Sequence, residues 1–225
     1  MIGIVVPLPQ EASGFGLKAR VGEVILGPNL LIAVSGIGRE AALRSVEQIV
    51  PLGVSRLLSF GTAAALRPEL RSGQLLLPRT LLLPSGKAVA VHPPFWSELK
   101  ARLGPLLPEK GGLLSVGNIV ATSDQKRHLR DRTGAVALDM ESAFLAEWSA
   151  AAGIPFAAIR VVVDRLDQDL PPSLLLSLER EGLSLRRLGG VVVRRPGDLF
   201  PLLGLAIAFR KAAKTMEKVA RKLCG

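Results

Sequence analysis

Four stretches of the chain put reactive groups at the ends of apolar runs, where an open α/β sheet binds its ligands. Glu11 follows the run Ile2-Gly-Ile-Val-Val6 across Pro7-Leu8-Pro9. Asp139-Met140-Glu141-Ser142 closes a second run, and Asp164 closes a third, after Val161-Val162-Val163. Ser35-Gly36-Ile37-Gly38-Arg39 turns from an apolar run into a helical one. Each stretch also has an ordinary structural reading. Glu11 is an acid in a helix's first turn, favoured there by the helix dipole. Asp139 caps a helix, and Asp164 is a strand-end carboxylate satisfied by nearby amides. Gly36 to Ala41 partly fits a dinucleotide fingerprint, which needs an acid about 20 residues on to hold a ribose. No Asp or Glu lies between Gln48 and Pro68, so no dinucleotide cofactor is expected. The turn is left either as a simple bend or as amides facing a ligand's anion or hydroxyl.

Together the three carboxylates answer the needs of one reaction, cleavage of a bond between a base and a ribose. The leaving purine must be protonated, the cationic ribosyl held, and a nucleophile delivered to the anomeric carbon. Asp164 is partly desolvated at the end of an apolar strand, which raises its pKa and suits a general acid. Glu141 at the mouth of a cleft can accept both ribose hydroxyls. Glu11 can take a proton from water.

The elements that must position these groups follow from periodicity. Apolar runs predict strands at 2–6, 22–26, 30–35, 55–60 (ending at Gly61-Thr62), 113–120, 135–139 and 154–163. Strands at 74–77, 79–83 and 87–91 read as a β meander, with Pro84-Ser85-Gly86 as a turn. Helices are predicted near 10–12 and at 38–50, 94–103, 123–131 and 141–152, with Ser123 as an N-cap and Gly153 as a stop. The alternation predicts an α/β fold, three-layer αβα, with a twisted, mixed, mostly parallel central sheet. Residues 1–168 are read as the catalytic domain, and 169–225 as a basic, Leu-rich helical extension packing on that domain. Leu202, Leu205, Phe209, Ala213, Met216, Val219 and Leu223 recur at three- and four-residue spacing between Lys and Arg. That stripe is read as docking on the core, with membrane-surface or partner binding as the alternative.

Composition narrows the rest. At 225 residues and 48% hydrophobic, the chain can bury a large single core. One cysteine, Cys224, and two histidines, His92 and His128, leave no metal site expected. Residues 186–225 carry ten Arg/Lys against Asp198 and Glu217, which is +8 of the chain's +10. The body is therefore nearly neutral. With no tyrosine and 4% aromatics, stacking platforms for nucleic acid are scarce, and no nucleic-acid partner is expected. The opening Met-Ile-Gly-Ile-Val-Val lacks a charged start or small-residue cleavage site, and no run of about 18 uncharged apolar residues occurs. The expected compartment is the cytosol.

The series Ile2-Gly-Ile…Glu11, Ser35-Gly-Ile-Gly-Arg39, Phe60-Gly-Thr-Ala-Ala-Ala65, Asp139-Met-Glu-Ser142 and Pro155-Phe…Arg160…Asp164 resembles the nucleoside phosphorylase family. Within it the chain is similar to the methylthioadenosine/adenosylhomocysteine nucleosidases over residues 1–168. The resemblance implies that Glu11 activates water and that Asp164 protonates purine N7. It implies that Met140 packs on the ribose, Glu141 binds its hydroxyls, and Ile119 and Val120 bracket the base. Thr62 replaces a serine beside the nucleophile site, formed with Gly36, Ile37, Arg39 and Gly61, and Arg160 lies under the pocket. A homodimer without cofactor is implied. Three departures stand out: Val163 replaces the serine before the catalytic Asp and dries that site, 118–126 lacks the base-stacking aromatic, and the tail is longer.

Leu170-Pro-Pro, Arg194-Arg-Pro and the basic helix are similar to the hopanoid-associated phosphorylases. That likeness implies removal of adenine from a nucleoside bearing a polycyclic lipid, adenosylhopane, with peripheral membrane contact through the tail. Phosphorolytic relatives carry a Gly-Asp-Pro-x-Arg type loop where this chain has Pro7-Leu-Pro-Gln-Glu11. A carboxylate there repels phosphate, so hydrolysis is expected, with Arg39 as the residue able to bind phosphate otherwise. The rival readings are a methylthioadenosine/adenosylhomocysteine nucleosidase and a catalytically silent nucleoside-binding protein.

Overall fold

The computed structural model describes residues 1–104, 111–179, 182–183 and 185–224. The first strand, β1 (Ile2–Val6), is buried along its whole length, as an unbroken apolar run requires when a strand is covered on both faces. The chain continues through α1 (Pro9–Ala12), β2 (Val24–Leu26), β3 (Leu30–Val34), α2 (Arg39–Ile49) and β4 (Arg56–Ala65). Then come β5 (Leu75–Leu76), β6 (Thr80–Leu82), β7 (Ala88–Ala90), α3 (Pro93–Leu103), β8 (Leu113–Ser115), α4 (Ser123–Thr133), β9 (Ala137–Asp139), α5 (Ser142–Ala151) and β10 (Phe156–Val162). The tail holds α6 (Pro172–Leu175), a hairpin of β11 (Leu178–Glu179) and β12 (Gly182–Leu183), α7 (Leu185–Arg194) and α8 (Leu199–Cys224).

Among the described residues ten strands form one sheet in the order β2-β3-β1-β4-β9-β8-β6-β7, with β10 against β4 and β5. β1 pairs in parallel with β3 on one side and with β4 on the other. The expected α/β architecture, with a mixed and largely parallel sheet between helices, is what forms. β4 is longer than its sequence suggested. It runs past Gly61-Thr62 to Ala65, because the small side chains of 63–65 let it stay beside β10 while it takes up β9 antiparallel at Ala64–Leu138 and Ala65–Ala137.

Two other expectations are corrected. The three runs at 74–91 are not a meander: β5 pairs with β10, and only β6 and β7 form a hairpin. Pro78, lacking an amide hydrogen, separates β5 from β6 and redirects the chain. The strand predicted over 113–120 stops at Ser115, before Gly117-Asn118. Thr122, rather than Ser123, caps α4: its hydroxyl accepts from the Gln125 amide at 3.2 Å, and the Gln125 side chain accepts from the Thr122 amide.

Helix α8 splits into two halves. Ala212, Met216, Val219 and Leu223 are buried in the core, and α8 packs against α3, β10 and the turn at Ser13–Phe15. Burying Met216, Val219 and Leu223 stabilises the fold by roughly 1.5–3 kcal/mol each. Ahead of Ala208 the helix leaves the core. Leu202, Leu205 and Phe209 face a cavity, Phe200 and Ile207 are exposed to solvent, and Leu203, half-exposed, lies at the cavity's rim. No described helix is long and apolar enough to cross a membrane.

Candidate active site

The carboxyl ends of β1, β4, β9 and β10 open into a cavity of about 920 Å³, at the large end of the roughly 300–1,000 Å³ typical of ligand pockets. Glu11, Thr62, Met140, Glu141 and Asp164 line it, with Ile37, Asn118, Ile119 and Val120. The opposite wall is supplied by the tail, through Leu174 of α6, Leu188 and Val192 of α7, and Leu202, Leu205 and Phe209 of α8. No Lys or Arg is among the lining residues described.

Glu11 reaches the cavity because Pro9 starts a one-turn helix just past β1, proline being tolerated where the amide has no partner. Its carboxyl is buried and held from three directions. The Leu8 amide donates to Oε2 at 3.0 Å, and the Thr62 amide and hydroxyl donate to Oε1 at 2.7 and 2.8 Å. Burial pushes its pKa up, against the Arg160 charge and the Thr62 and Leu8 hydrogen bonds. Gly61 lies directly behind this carboxyl, with no side chain to displace it.

Glu141 sits at the start of α5, where its Oε1 accepts from the Gly38 amide at 2.8 Å. Gly38 holds a φ of +93°, a conformation only glycine adopts without strain, and this turns its amide toward β9. Burial, then the Asp139 charge, raises the Glu141 pKa, while Arg160 and the Gly38 amide hold it down. Arg160 itself is fully buried behind the cavity. Its Nε donates to Asp139 Oδ2 at 2.8 Å, its Nη2 donates to Ser59 Oγ at 2.7 Å, and Glu141 Oε2 lies 3.8 Å away. It is a strut that fixes the two acids. Asp139 is more than a helix cap, since it also accepts from Ser115 Oγ.

Asp164 follows β10 and Val163 into the cavity. Burial pushes its pKa up, but a cation opposes the shift. That cation is Lys126 of α4, whose Nζ lies 2.6 Å from Asp164 Oδ2. Lys126 was missed in the sequence because it sits in the charged run Asp124-Gln-Lys-Arg-His. One signal could have found it. Lys126, Leu129, Arg130 and Thr133 share the inward face of α4, and a lysine there must be paired.

The remaining predicted residues divide. Ile119, Val120, Met140, Thr62 and Ile37 line the cavity. Gly36 and Gly61 are buried behind it, and exposed Arg39 lies over the Phe144 ring, 5.2 Å from its centroid, off the cavity wall. Chemically the site offers three buried acids with raised pKa, one of them caged by hydrogen bonds, and an extended apolar wall.

A sequence model of the phosphorylase superfamily matches residues 6–194. No curated protein sequence matches the chain. Among solved structures, the fold is similar to a futalosine hydrolase of Helicobacter pylori, at 18% identity over 99% of this chain and 96% of that one, with a TM-score of 0.71. It is also similar to a 5′-methylthioadenosine/S-adenosylhomocysteine nucleosidase from Neisseria meningitidis in complex with methylthio-immucillin-A, at 15% identity over 99% and 98% of the two chains, with a TM-score of 0.70. The corresponding Helicobacter pylori nucleosidase, bound to butyl-thio-DADMe-Immucillin-A, shares 18% identity over 98% and 95%, with a TM-score of 0.67.

Proposed function

The chain belongs to the phosphorylase superfamily, and from that premise we propose that it hydrolyses the N-glycosidic bond of an adenine nucleoside. The observation that carries the reading is the meeting of Glu11, Glu141 and Asp164 on one cavity. Glu141 accepts the ribose hydroxyls, Met140 packs on the sugar, and Ile119 and Val120 bracket the base. Asp164 gives its proton to purine N7 as the C1′–N9 bond breaks and its electron pair leaves with the base. Water adds to C1′, and Glu11 takes the proton it loses.

Two features favour water over phosphate. The nucleophile position is held by a carboxylate, and the cavity wall has no described cation to bind a phosphate, Arg39 being turned onto Phe144. The tail's Leu and Val wall favours a large apolar 5′ substituent, and adenosylhopane is the substrate we propose. Adenine release from a 5′-alkyl adenosine of lipid length, with and without phosphate, tests both points. A phosphate requirement refutes hydrolysis, and faster turnover of methylthioadenosine favours the smaller-substrate reading. Glu11→Gln and Asp164→Asn should each lower the rate by about 10²- to 10⁴-fold. Ligand affinity left intact with no turnover even in the unaltered protein would make it a nucleoside binder.

The exposed stripe of α8 supports membrane contact for this substrate. Phe200, Leu203 and Ile207 are followed at the same spacing by Lys211, Lys214 and Lys218, all exposed, so one face is first apolar and then cationic. Each cation adds about 1 kcal/mol at an anionic surface. Removing α8 would strip the core, so Phe200→Ser with Ile207→Ser is the better test. Sedimentation with anionic vesicles should fall for this variant, and unchanged partitioning removes the membrane role.

A further inference from the structure

We propose that Lys126 is the positioning residue for the general acid, and that it sets the pH range over which Asp164 can donate. The proposal rests on the assignment of Asp164 as the proton donor to the base. Lys126 is fully buried. Its Nζ donates to the backbone carbonyls of Arg165 and Gln168 at 2.8 and 2.7 Å and forms an ion pair with Asp164 Oδ2 at 2.6 Å. A buried ammonium is retained only where such acceptors replace water. The arrangement has two consequences. Oδ2 is the oxygen turned to the lysine, which points to Oδ1 as the atom that meets substrate. The loop after β10 is also tied to α4, the helix that follows the base-bracketing Ile119 and Val120; the Leu170 amide, donating to the Ala121 carbonyl at 2.7 Å, adds a second tie.

The charge matters as much as the geometry. When the Asp164 O–H gives its proton to the base, a carboxylate is left in an apolar wall beside Val163, and the Lys126 ammonium is the cation beside it. Other charges near Asp164 are engaged elsewhere. Arg165 pairs with Asp167, Asp169 accepts from the Ser123 amide, and Glu11 and Glu141 are held by Thr62 and Gly38. Lys126 therefore makes Asp164 a stronger acid, while burial keeps it an acid at all.

The test is the pH profile of kcat/KM for adenine release in Lys126→Gln, which keeps donors for the two carbonyls but loses the charge. Activity needs a protonated Asp164, so it falls as pH rises through that group's pKa. Without the lysine this falling limb should move up by about one to three pH units, with a lower plateau kcat and an almost unchanged KM. Lys126→Arg should return the limb toward its original position. A limb that stays in place in Lys126→Gln overturns the proposal, whatever happens to the rate. Should that variant fail to fold, Lys126→Arg carries the test, and a limb moved up with the charge retained also overturns the proposal. A carbon-13 titration of the Asp164 carboxyl, compared between the unaltered protein and Lys126→Gln, reads the coupling without turnover. An upward shift supports it, and coincident curves sink it. Loss of the underlying assignment shows separately, as an Asp164→Asn variant with undiminished adenine release.

Discussion

Gly61→Ala isolates the placement of Glu11 from its chemistry. The backbone at Gly61 lies outside the positive-φ region, so alanine is conformationally acceptable there. A methyl carbon at that point would lie 2.9 and 3.0 Å from the two Glu11 carboxyl oxygens and 3.1 Å from Cδ. Ordinary carbon–oxygen contacts begin at about 3.3–3.6 Å, so the carboxyl must retreat by about half an ångström. Retreat moves it away from neighbouring Thr62, whose amide now sits 2.7 Å from Oε1. That bond would lengthen to about 3.2 Å, the outer edge of good geometry. Weakening one charge-assisted bond of this kind costs about 1–2 kcal/mol, or about 5- to 30-fold in kcat. The variant should show that loss in an adenine-release assay, with KM changed far less and an unaltered circular dichroism spectrum. Activity equal to that of the unaltered protein would refute the reasoning, since Glu11 would then not need its observed position.

Two further outcomes follow from the buried charges. Arg160→Met leaves Asp139 and Glu141 facing each other without their shared cation, and should destabilise the fold by about 3–5 kcal/mol, read as a drop in the urea midpoint. Glu11, Glu141 and Asp164 all have folded-state pKa values above their ordinary ones. The folded protein therefore binds more protons than the unfolded chain above the ordinary carboxylate range, and their contribution is fullest below that range and lost as pH rises through the folded values. The ligand-free protein should resist urea better near pH 5 than near pH 8, and the reverse order would contradict the burial of these groups.

Much of this was legible in the sequence, for definite physical reasons. Strands buried on both faces write themselves as runs such as Ile2–Val6 and Phe156–Val162, and chemistry at their ends follows from sheet topology. What was hidden depended on pairings between distant segments. Nothing local says that Leu75-Leu76 will choose β10 over β6, or that Ala63–Ala65 will prolong β4. The Gly38 amide could not be matched to Glu141, 103 residues away, and Lys126 looked like one charge among many until the fold buried it. The stripe from Leu202 to Leu223 reads as one amphipathic helix. Its periodicity is continuous, so only the shape of the core reveals that Met216 is packed while Ile207 is not.

Strand β4 joins both halves of the sheet, pairing with β1, β9 and β10, and it also carries Thr62. Amides locked in such a central ladder exchange with solvent only when the whole domain opens. Thr62, which holds the Glu11 carboxyl, thus sits in a slow-exchanging unit, whereas the amides of α7 and the outer half of α8, with Val193 and Phe200 in solvent, should exchange faster. The cavity therefore has one wall anchored in the central ladder and one carried by the outlying tail helices.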